Sequence, residues 1–541
     1  MLAFFLVHLL RISAMKKIVF FLSIIAFFAF FLIQHKSPEQ STQILHLNMK
    51  AEPKTMDPRK GGDWYSSQMH ALFFEGLVKI YPDQSFKLAQ AESYEVSDDQ
   101  LVYTFHLRDT VWSNNTPVTA YDFEQSWKDI LDPNFPSMNA QLFHPIKNAD
   151  LAKKGFVPLD EVGIKAIDAK TLVITLEKPT PYLINLLSFC VFSPVNSKND
   201  RENPNWALNT GPNFLCNGPF VLEKWEPGAE IIAASNPHYR KTEDVHPEKI
   251  IFHIVENDTT TLQMFEKGLI DIIGDSLTSI PLEAIPHLEK KWKICREPTA
   301  TTMIIAFNTD KAPFHHPKIR KAFSLSINRQ QLVDNIVYRA SSVATNMIPP
   351  LLKQDRDRSF FKDNDVAQAK ILLEEAMAEM GITKEAFEPV TLYYPSLSSV
   401  TSKVMQTIQQ QWLDALGIFI KIESLDYRVI VDKLIHRDYF MCYTLWSAMY
   451  YDPMSILERF KYRTYTKNFL NWENAEYIQL LNRSFYEQGE TRFRTLEEAE
   501  ELFLKEMPLI PLCHVDFVYI INPCLNIPLW GDRLLLPMSP N

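Results

Sequence analysis

The side chains that could catalyse a reaction or bind a metal are scattered through this sequence of 541 residues. His315 and His316 adjoin each other, but no acidic residue or cysteine lies at a spacing that would complete a metal site. The six cysteines lack C-x-x-C spacing, and there is no glycine-rich nucleotide loop, H-E-x-x-H or G-x-S-x-G motif. We therefore predict that the protein is not an enzyme and has no catalytic residues, no metal site and no cofactor.

A run of aromatic residues is the other stretch whose side chains could have a specific chemical role. Residues 439–453 have the composition of a strand and include Tyr443, Trp446 and Tyr450, followed by Asp452. Aromatic rings provide flat apolar walls, and a carboxylate can hold an ammonium group. The alternative is that these rings belong only to a hydrophobic core, which is the commoner role of such residues.

The elements that must position these residues are visible in the hydrophobic patterns. Residues 91–96 and 101–107 predict a hairpin, because apolar and polar residues alternate on either side of an Asp98-Asp99 turn. Thr119 and Asp122 predict a capping box at the start of a helix with one apolar stripe. Residues 162–166 and 171–176 predict a second hairpin.

The second half of the chain has a different pattern. Residues 365–381 predict a helix. A β-α-β unit with a parallel strand pair is predicted after it, with its strands at residues 390–394 and 418–422 and its helix ending at Gly417. Hairpins early and a β-α-β unit late predict an α/β protein whose parts differ in architecture.

The amino terminus determines the predicted compartment. Lys16 and Lys17 precede residues 18–33, which carry no charge and are mostly apolar, as in a secretory signal. We expect residues 1–36 to be a signal sequence or an amino-terminal anchor, so that the protein is periplasmic, either released by cleavage or tethered to the inner membrane. The chain has a formal net charge of −10, which argues against nucleic acid as a partner.

The segment 101–127 carries a family resemblance. It has a strand ending in Leu107-Arg108, then Trp112-Ser113, then Thr116-Pro117-Val118-Thr119-Ala120, then an aromatic helix. This order resembles the extracellular solute-binding proteins of peptide and nickel ABC importers. One departure is the turn at Asn114-Asn115, where the family has Asp-Gly, and asparagine tolerates the left-handed conformation needed there. Further blocks are similar at Asp57-Pro58, 74–77 and 217–220.

The resemblance implies a two-lobed periplasmic-binding-protein-like fold of class II, the three-domain peptide-binding type, with mixed sheets and a hinge. The implied domains are a discontinuous first lobe of residues 40–75, 187–295 and 508–541, an accessory domain of residues 76–186, and a second lobe of residues 296–507. We therefore expect the strand at 509–519 to return to the first lobe.

The resemblance also implies a ligand site between the lobes. The expected ligand-binding residues are Trp446, Ser447, Met449, Tyr450, Asp452, Asp63 and Trp64. Peptide-binding relatives commonly have an aspartate three residues after the tryptophan, for the ligand's ammonium, and a basic residue three before it. Here these positions hold Met449 and Tyr443. Either Asp452 binds the ammonium from a shifted position, or the ligand has no free amino terminus at that place.

The implied function is capture of an oligopeptide or peptide-like solute and its delivery to the permease subunits of an ABC importer, by a protein that we expect to be monomeric. The departure at Met449 motivates an alternative ligand, such as a murein peptide, an opine-like compound or a chelated metal. An exported hydrolase is a further, remote alternative.

Overall fold

The computed structural model describes residues 44–525, apart from 81–84, 242–244, 246, 275–276, 279, 282–283, 338–339, 356, 397–398, 466 and 524. Residues 1–36, to which the sequence assigns the export signal, lie outside the described residues. Among the helices that are described, none combines the length and the apolarity needed to cross a membrane.

Strands and helices alternate along the described chain. The strands are β1 Ile44–Met49, β2 Val78–Ile80, β3 Phe86–Leu88, β4 Ala91–Val96, β5 Val102–Leu107, β6 Ile164–Ala166, β7 Thr171–Thr175, β8 Phe220–Glu226, β9 Glu230–Ser235, β10 Lys249–Ile254, β11 Ile272–Gly274, β12 Cys295–Phe307, β13 Ala340–Val343, β14 Thr391–Pro395, β15 Lys421–Leu425, β16 Met441–Ser447 and β17 Leu509–Ile521. The α-helices are α1 Trp64–Phe73, α2 Ala120–Leu131, α3 Ala149–Lys153, α4 Leu183–Leu186, α5 Ser197–Glu202, α6 Asp258–Glu266, α7 Ile285–Leu288, α8 Pro317–Leu325, α9 Arg329–Asn335, α10 Val366–Met380, α11 Ser399–Leu416, α12 Tyr427–His436, α13 Met454–Leu457, α14 Ala475–Ser484 and α15 Gly489–Glu506.

The strands divide among separate sheets. A four-stranded sheet in the order β1-β10-β9-β8 belongs to the first lobe, and β4-β5-β7-β6 forms another within the range predicted for the accessory domain. The seven-stranded sheet β11-β17-β12-β16-β14-β15, in which β13 also pairs with β17, takes most of its strands from the range predicted for the second lobe. The fold is therefore a mixed α/β architecture with two lobes, as the sequence predicts.

The carboxyl-terminal strand lies in the middle of the seven-stranded sheet. Leu509–Tyr519 pairs with β12, and the expectation that this strand returns to the first lobe stays a prediction. Its residues 509–516 are all buried, and a strand buried on both faces is stable only with covering elements on both sides. Only its end approaches the first lobe, because β11 pairs with residues 519–521 and the neighbouring Asp271 donates its N–H to the carbonyl of His46 in β1. The other domain boundaries stay predictions.

The local predictions of the sequence are confirmed. β4 and β5 pair as an antiparallel hairpin, and so do β6 and β7. The Thr119–Asp122 capping box begins α2, and Asn115 has a φ of 65°, the left-handed conformation that the turn needs. β14, α11 and β15 form the β-α-β unit with a parallel strand pair.

Helix α1 begins at Trp64. The Asp63 carboxylate accepts a hydrogen bond from the Ser66 N–H at 2.9 Å, which satisfies one of the free donors at the first turn and fixes this start.

Candidate functional site

The carboxyl end of β16 is the part of the chain where the sequence predicts ligand contacts. β16 pairs with β12 along its whole length, whereas β14 reaches only its first residues. Within the described part of the chain, the end of the strand therefore has a paired strand on one edge only. Beyond Ser447 the chain makes a tight turn, and Ala448 donates its N–H to the carbonyl of Ala300 before α13 begins.

Asp452 closes this turn through a buried ion pair. Its two carboxylate oxygens each accept a hydrogen bond of 2.7 Å from the Arg492 guanidinium on α15, and one of them also accepts the Met454 N–H at 2.9 Å. Burial alone would lower the pKa of Arg492, but the charge of Asp452 and its hydrogen bonds raise it above its ordinary value. Asp452 is therefore already paired with a protein cation, and its role in binding a ligand's ammonium group stays a prediction.

Trp446 is buried within the second lobe, with 3% of its surface exposed. Its ring packs against Phe460 at 5.2 Å and Phe469 at 5.5 Å between centroids, and the Arg459 guanidinium carbon lies 4.8 Å from its centre. This environment has the character of a core aromatic, the alternative that the sequence left open. The indole Nε1, however, is buried and has no hydrogen-bond partner among the described residues.

Tyr450 contacts residues of the range predicted for the accessory domain. Its ring stacks on Tyr182 of the accessory region, with 4.9 Å between centroids and 13° between planes. The Asn185 side-chain amide donates a hydrogen bond of 2.8 Å to the carbonyl of Tyr451 beside it. Burial, and then the charge of Glu458, raise the pKa values of Tyr182 and Tyr450 well above the ordinary value, so both phenols stay neutral.

Ser447 and Met449 lie in the chain between Trp446 and Tyr450, and both are buried. The Ser447 hydroxyl shares a hydrogen bond of 2.8 Å with the Thr301 hydroxyl on β12, and its carbonyl accepts one of 2.8 Å from Arg459. The Met449 N–H donates to the Ser455 hydroxyl at 2.7 Å. These bonds fix the backbone at the end of β16, so that its side chains have defined positions.

The two predicted residues of the first lobe lie elsewhere. Asp63 caps α1, and its second carboxylate oxygen accepts the Ser66 hydroxyl at 2.6 Å. The Trp64 ring lies 5.9 Å from that of Phe517 on β17, which is a second contact between the first lobe and the seven-stranded sheet. The structure therefore brings Trp446, Ser447, Met449, Tyr450 and Asp452 together, with Asp63 and Trp64 at the start of a separate helix. Their roles in ligand binding stay predictions.

Several residues at this place are not identified by the sequence reasoning. Arg459 and Lys467 lie on the segment that follows α13, and this segment also carries Phe460 and Phe469, the two rings on Trp446. Burial lowers the pKa of Arg459 to about 10. Burial, and then the charge of Arg459, lower the pKa of Lys467 to about 7. The alternation of basic and aromatic residues from 459 to 467 is the sequence signal that could have indicated them.

The histidines and cysteines that were considered as metal ligands can be located in the structure. The described residues contain no group of three or more His, Cys, Asp or Glu side chains that could hold a metal ion. His316 precedes α8 and lies 3.0 Å from the Glu379 carboxylate. The five cysteines in the described part of the chain are free thiols, and burial raises the pKa of the Cys190, Cys216, Cys442 and Cys513 thiols to about 12.

Two lobes on separate sheets, connected through β11 and β17, define a periplasmic-binding-protein-like fold. The sequence model of a family described as bacterial extracellular solute-binding proteins, family 5 (Middle), matches residues 85–468. The chain belongs to this family of extracellular solute-binding proteins.

Individual relatives are similar over almost the same length. The oligopeptide-binding protein OppA of Bacillus subtilis (strain 168) is 35% identical over 481 residues, 88% of this chain and 88% of that protein. The crystal structure of the periplasmic oligopeptide-binding protein OppAIV of Borrelia burgdorferi matches with a TM-score of 0.76 and 27% identity, over 89% of this chain and 95% of that one. The murein tripeptide binding protein MppA of Escherichia coli matches with a TM-score of 0.75 and 26% identity, over 89% and 94% of the two chains.

Proposed function

We propose that this protein captures a peptide or peptide-like solute between its two lobes and delivers it to the membrane subunits of an ABC importer. The single observation that carries the proposal is the position of the β16 end, which lies beside the Tyr182–Tyr450 contact with the predicted accessory domain. Family membership and the names of the relatives support the same reading. A monomer with no chemical step of its own is sufficient for this task.

The mechanism follows from the arrangement of the lobes. Closure of two domains about a hinge surrounds a ligand and removes it from water. The Tyr182–Tyr450 stack and the Asn185–Tyr451 hydrogen bond join the predicted accessory domain to the predicted second lobe, so they favour a closed arrangement of these two parts. Backbone groups at the end of β16, a strand bordered on one edge, are suited to pair with the main chain of an extended peptide.

Export belongs to the same proposal. A signal segment at residues 1–36 would place the binding lobes in the periplasm, where peptides released from larger molecules are accessible. The chain would either be cleaved after this segment or stay attached through it to the inner membrane. Amino-terminal sequencing of the protein from a membrane fraction and from a soluble fraction distinguishes the two arrangements.

Thermal unfolding tests the binding function. The purified protein is mixed with pools of random peptides of defined length, and each pool is scored by the shift in melting temperature. A ligand at 100 times its Kd stabilises the folded state by about 2.7 kcal/mol, which is a measurable shift. The absence of a shift with every pool, and of any peptide among the molecules that co-purify, would refute peptide capture.

A second class of ligand is favoured by one observation. Met449 occupies the position that the family resemblance assigns to an ammonium-binding aspartate, and the nearby carboxylate of Asp452 is bound to Arg492. A ligand without a free amino group at this place, such as a murein peptide, would need neither carboxylate. Screening muropeptides beside the random pools compares the two classes directly.

A further inference from the structure

The turn at the end of α6 and the turn after α7 form one exposed, basic surface. The Phe265 ring at the end of α6 packs edge-on against the Trp292 ring after α7, with 5.4 Å between centroids. Both rings belong to a small apolar cluster that holds the two turns together. Each of four lysines in these turns lies within two positions of one of the two rings. We call this surface the basic tip, and it consists of Lys267, Lys290, Lys291 and Lys293, with Leu269.

The lysines of the basic tip are exposed to solvent and lack carboxylate partners. Within the described part of the chain, no ion pair or hydrogen bond joins any of the four to an acidic side chain, and the Lys291 ammonium lies 4.7 Å from the centre of the Trp292 ring. The adjoining acidic residues are Glu266 and Glu289, and the Glu289 carboxylate is 3.7 Å from the Arg296 guanidinium. The basic tip therefore has an excess of positive charge in a chain whose net charge is −10.

A large apolar side chain is exposed among these lysines. Leu269 has 54% of its surface exposed, and its N–H donates to the carbonyl of Met264, which folds the turn back onto α6. Single exposed leucines are common, and what distinguishes this one is its position among unpaired lysines. Lysines that surround an apolar side chain suit a lipid surface, because the ammonium groups meet phosphates while the apolar group enters the boundary beneath them.

The basic tip is also connected to the first strand of the described chain. Asp271, two residues after Leu269, donates its N–H to the His46 carbonyl, and its carboxylate accepts the His46 N–H at 2.7 Å. β1 begins at Ile44, and seven residues separate it from the predicted signal or anchor segment, residues 1–36. An extended chain of this length spans about 25 Å. Attachment through that segment would therefore keep the basic tip near the membrane surface.

We propose that the basic tip docks on the headgroups of anionic phospholipids and thereby orients the tethered protein on the membrane. The lysines pair with lipid phosphates, and Leu269 contacts the boundary of the acyl chains. Salt screens charges beyond about 8 Å, so the acidic remainder of the chain does not cancel this short-range attraction. The proposal rests on the tethered form of the proposed export and is independent of ligand capture.

Chemical footprinting of lysines tests this docking with the full chain. The protein is reconstituted into vesicles of phosphatidylglycerol or of phosphatidylcholine, and its lysines are acetylated and quantified by mass spectrometry. We expect the lysines of the basic tip to react at least about threefold more slowly on phosphatidylglycerol, which is anionic. Lys362 and Lys370, which are exposed in the range predicted for the second lobe, should react equally on both lipids. Salt at about 1 M should remove the difference, because it shortens the screening length to about 3 Å.

The pattern of protection decides between the outcomes. These vesicles contain no other protein, so protection of the basic tip alone assigns the surface to lipid. Equal reaction rates of the basic tip on both lipids overturn the docking, while a melting shift with peptides would still establish ligand capture. Equal protection of Lys362, Lys370 and the basic tip on phosphatidylglycerol also overturns it, because that pattern indicates adsorption without a fixed orientation.

Substitution tests the lysines themselves. Each lysine at an anionic surface strengthens binding by about fivefold, so loss of two weakens docking by about 25-fold. Lys290→Gln with Lys293→Gln is therefore expected to abolish the protection of Lys267 on phosphatidylglycerol. Lys362→Gln with Lys370→Gln is the matched control, because it removes the same charge from exposed positions elsewhere. Unchanged protection of Lys267 in the first double variant, if that protein melts like the wild type, would overturn the role of these lysines.

Discussion

The buried ion pair between Asp452 and Arg492 permits a quantitative prediction. The two side chains are 6% and 5% exposed and form two hydrogen bonds of 2.7 Å. Substitution of Arg492 by methionine leaves a buried carboxylate without its cation, and removal of one partner of such a pair costs about 3–5 kcal/mol. We therefore expect Arg492→Met to lower the free energy of unfolding by about this amount.

The double variant Asp452→Asn with Arg492→Met separates the charge from the packing. Removal of both charges eliminates the unpaired carboxylate, and replacement of a whole buried pair is often close to neutral. We expect the double variant to lose at least about 2 kcal/mol less free energy of unfolding than the sum of the losses of the two single variants. A coupling of this size is typical of residues in direct contact.

Urea unfolding followed by tryptophan fluorescence and by circular dichroism measures these values, provided that the two transitions coincide. Arg494→Met is the matched control on the same helix, because Arg494 forms an exposed pair with Glu490 and its removal should change little. A loss below about 1 kcal/mol for Arg492→Met, or strict additivity in the double variant, would refute the reasoning that this pair holds the turn after β16.

Three further predictions concern the lobes, the pH dependence and the ligand. Asn185→Ala and Tyr182→Ala each remove a contact between the predicted accessory domain and the predicted second lobe. The radius of gyration measured by X-ray scattering without ligand should therefore increase, whereas Tyr182→Phe should keep the compact value because the ring remains. Burial lowers the pKa of His514 to about 3, so the unfolded state binds more protons than the folded state below about pH 6.5, and the free energy of unfolding should fall from pH 7 to pH 5. His514→Gln should flatten this pH dependence in urea unfolding. An unchanged slope of the unfolding free energy against pH would contradict the prediction. Met449→Asp places a carboxylate where the resemblance implies an ammonium site; calorimetry should show tighter binding of peptides with free amino termini, and unchanged binding would count against that location.

The local structure was predictable because it depends on neighbours in the chain. The alternation in residues 101–107, the capping box at Thr119 and the helix ending at Gly381 are all found as the sequence indicates. These features arise from backbone hydrogen bonds and side-chain periodicity within a few residues, so one sequence is sufficient to identify them.

The place of β17 was not predictable in the same way. Its apolar residues indicate a buried strand, but the choice between a position in the first lobe and one beside β12 depends on partners about 200 residues away, as in the pairing of Ile304 with Pro511. Register between distant strands is decided by which apolar faces cover each other in three dimensions.

The sequence by itself determined the compartment signal, the local elements, the resemblance to solute-binding proteins and the aromatic segment that ends β16. Only the tertiary structure decided how that segment is used: Asp452 binds Arg492, Tyr450 stacks on Tyr182, and Trp446 is enclosed beside Arg459. The reason is that charge compensation and burial depend on side chains brought together from distant parts of the chain, whose spacing in sequence carries no information about their spacing in the fold.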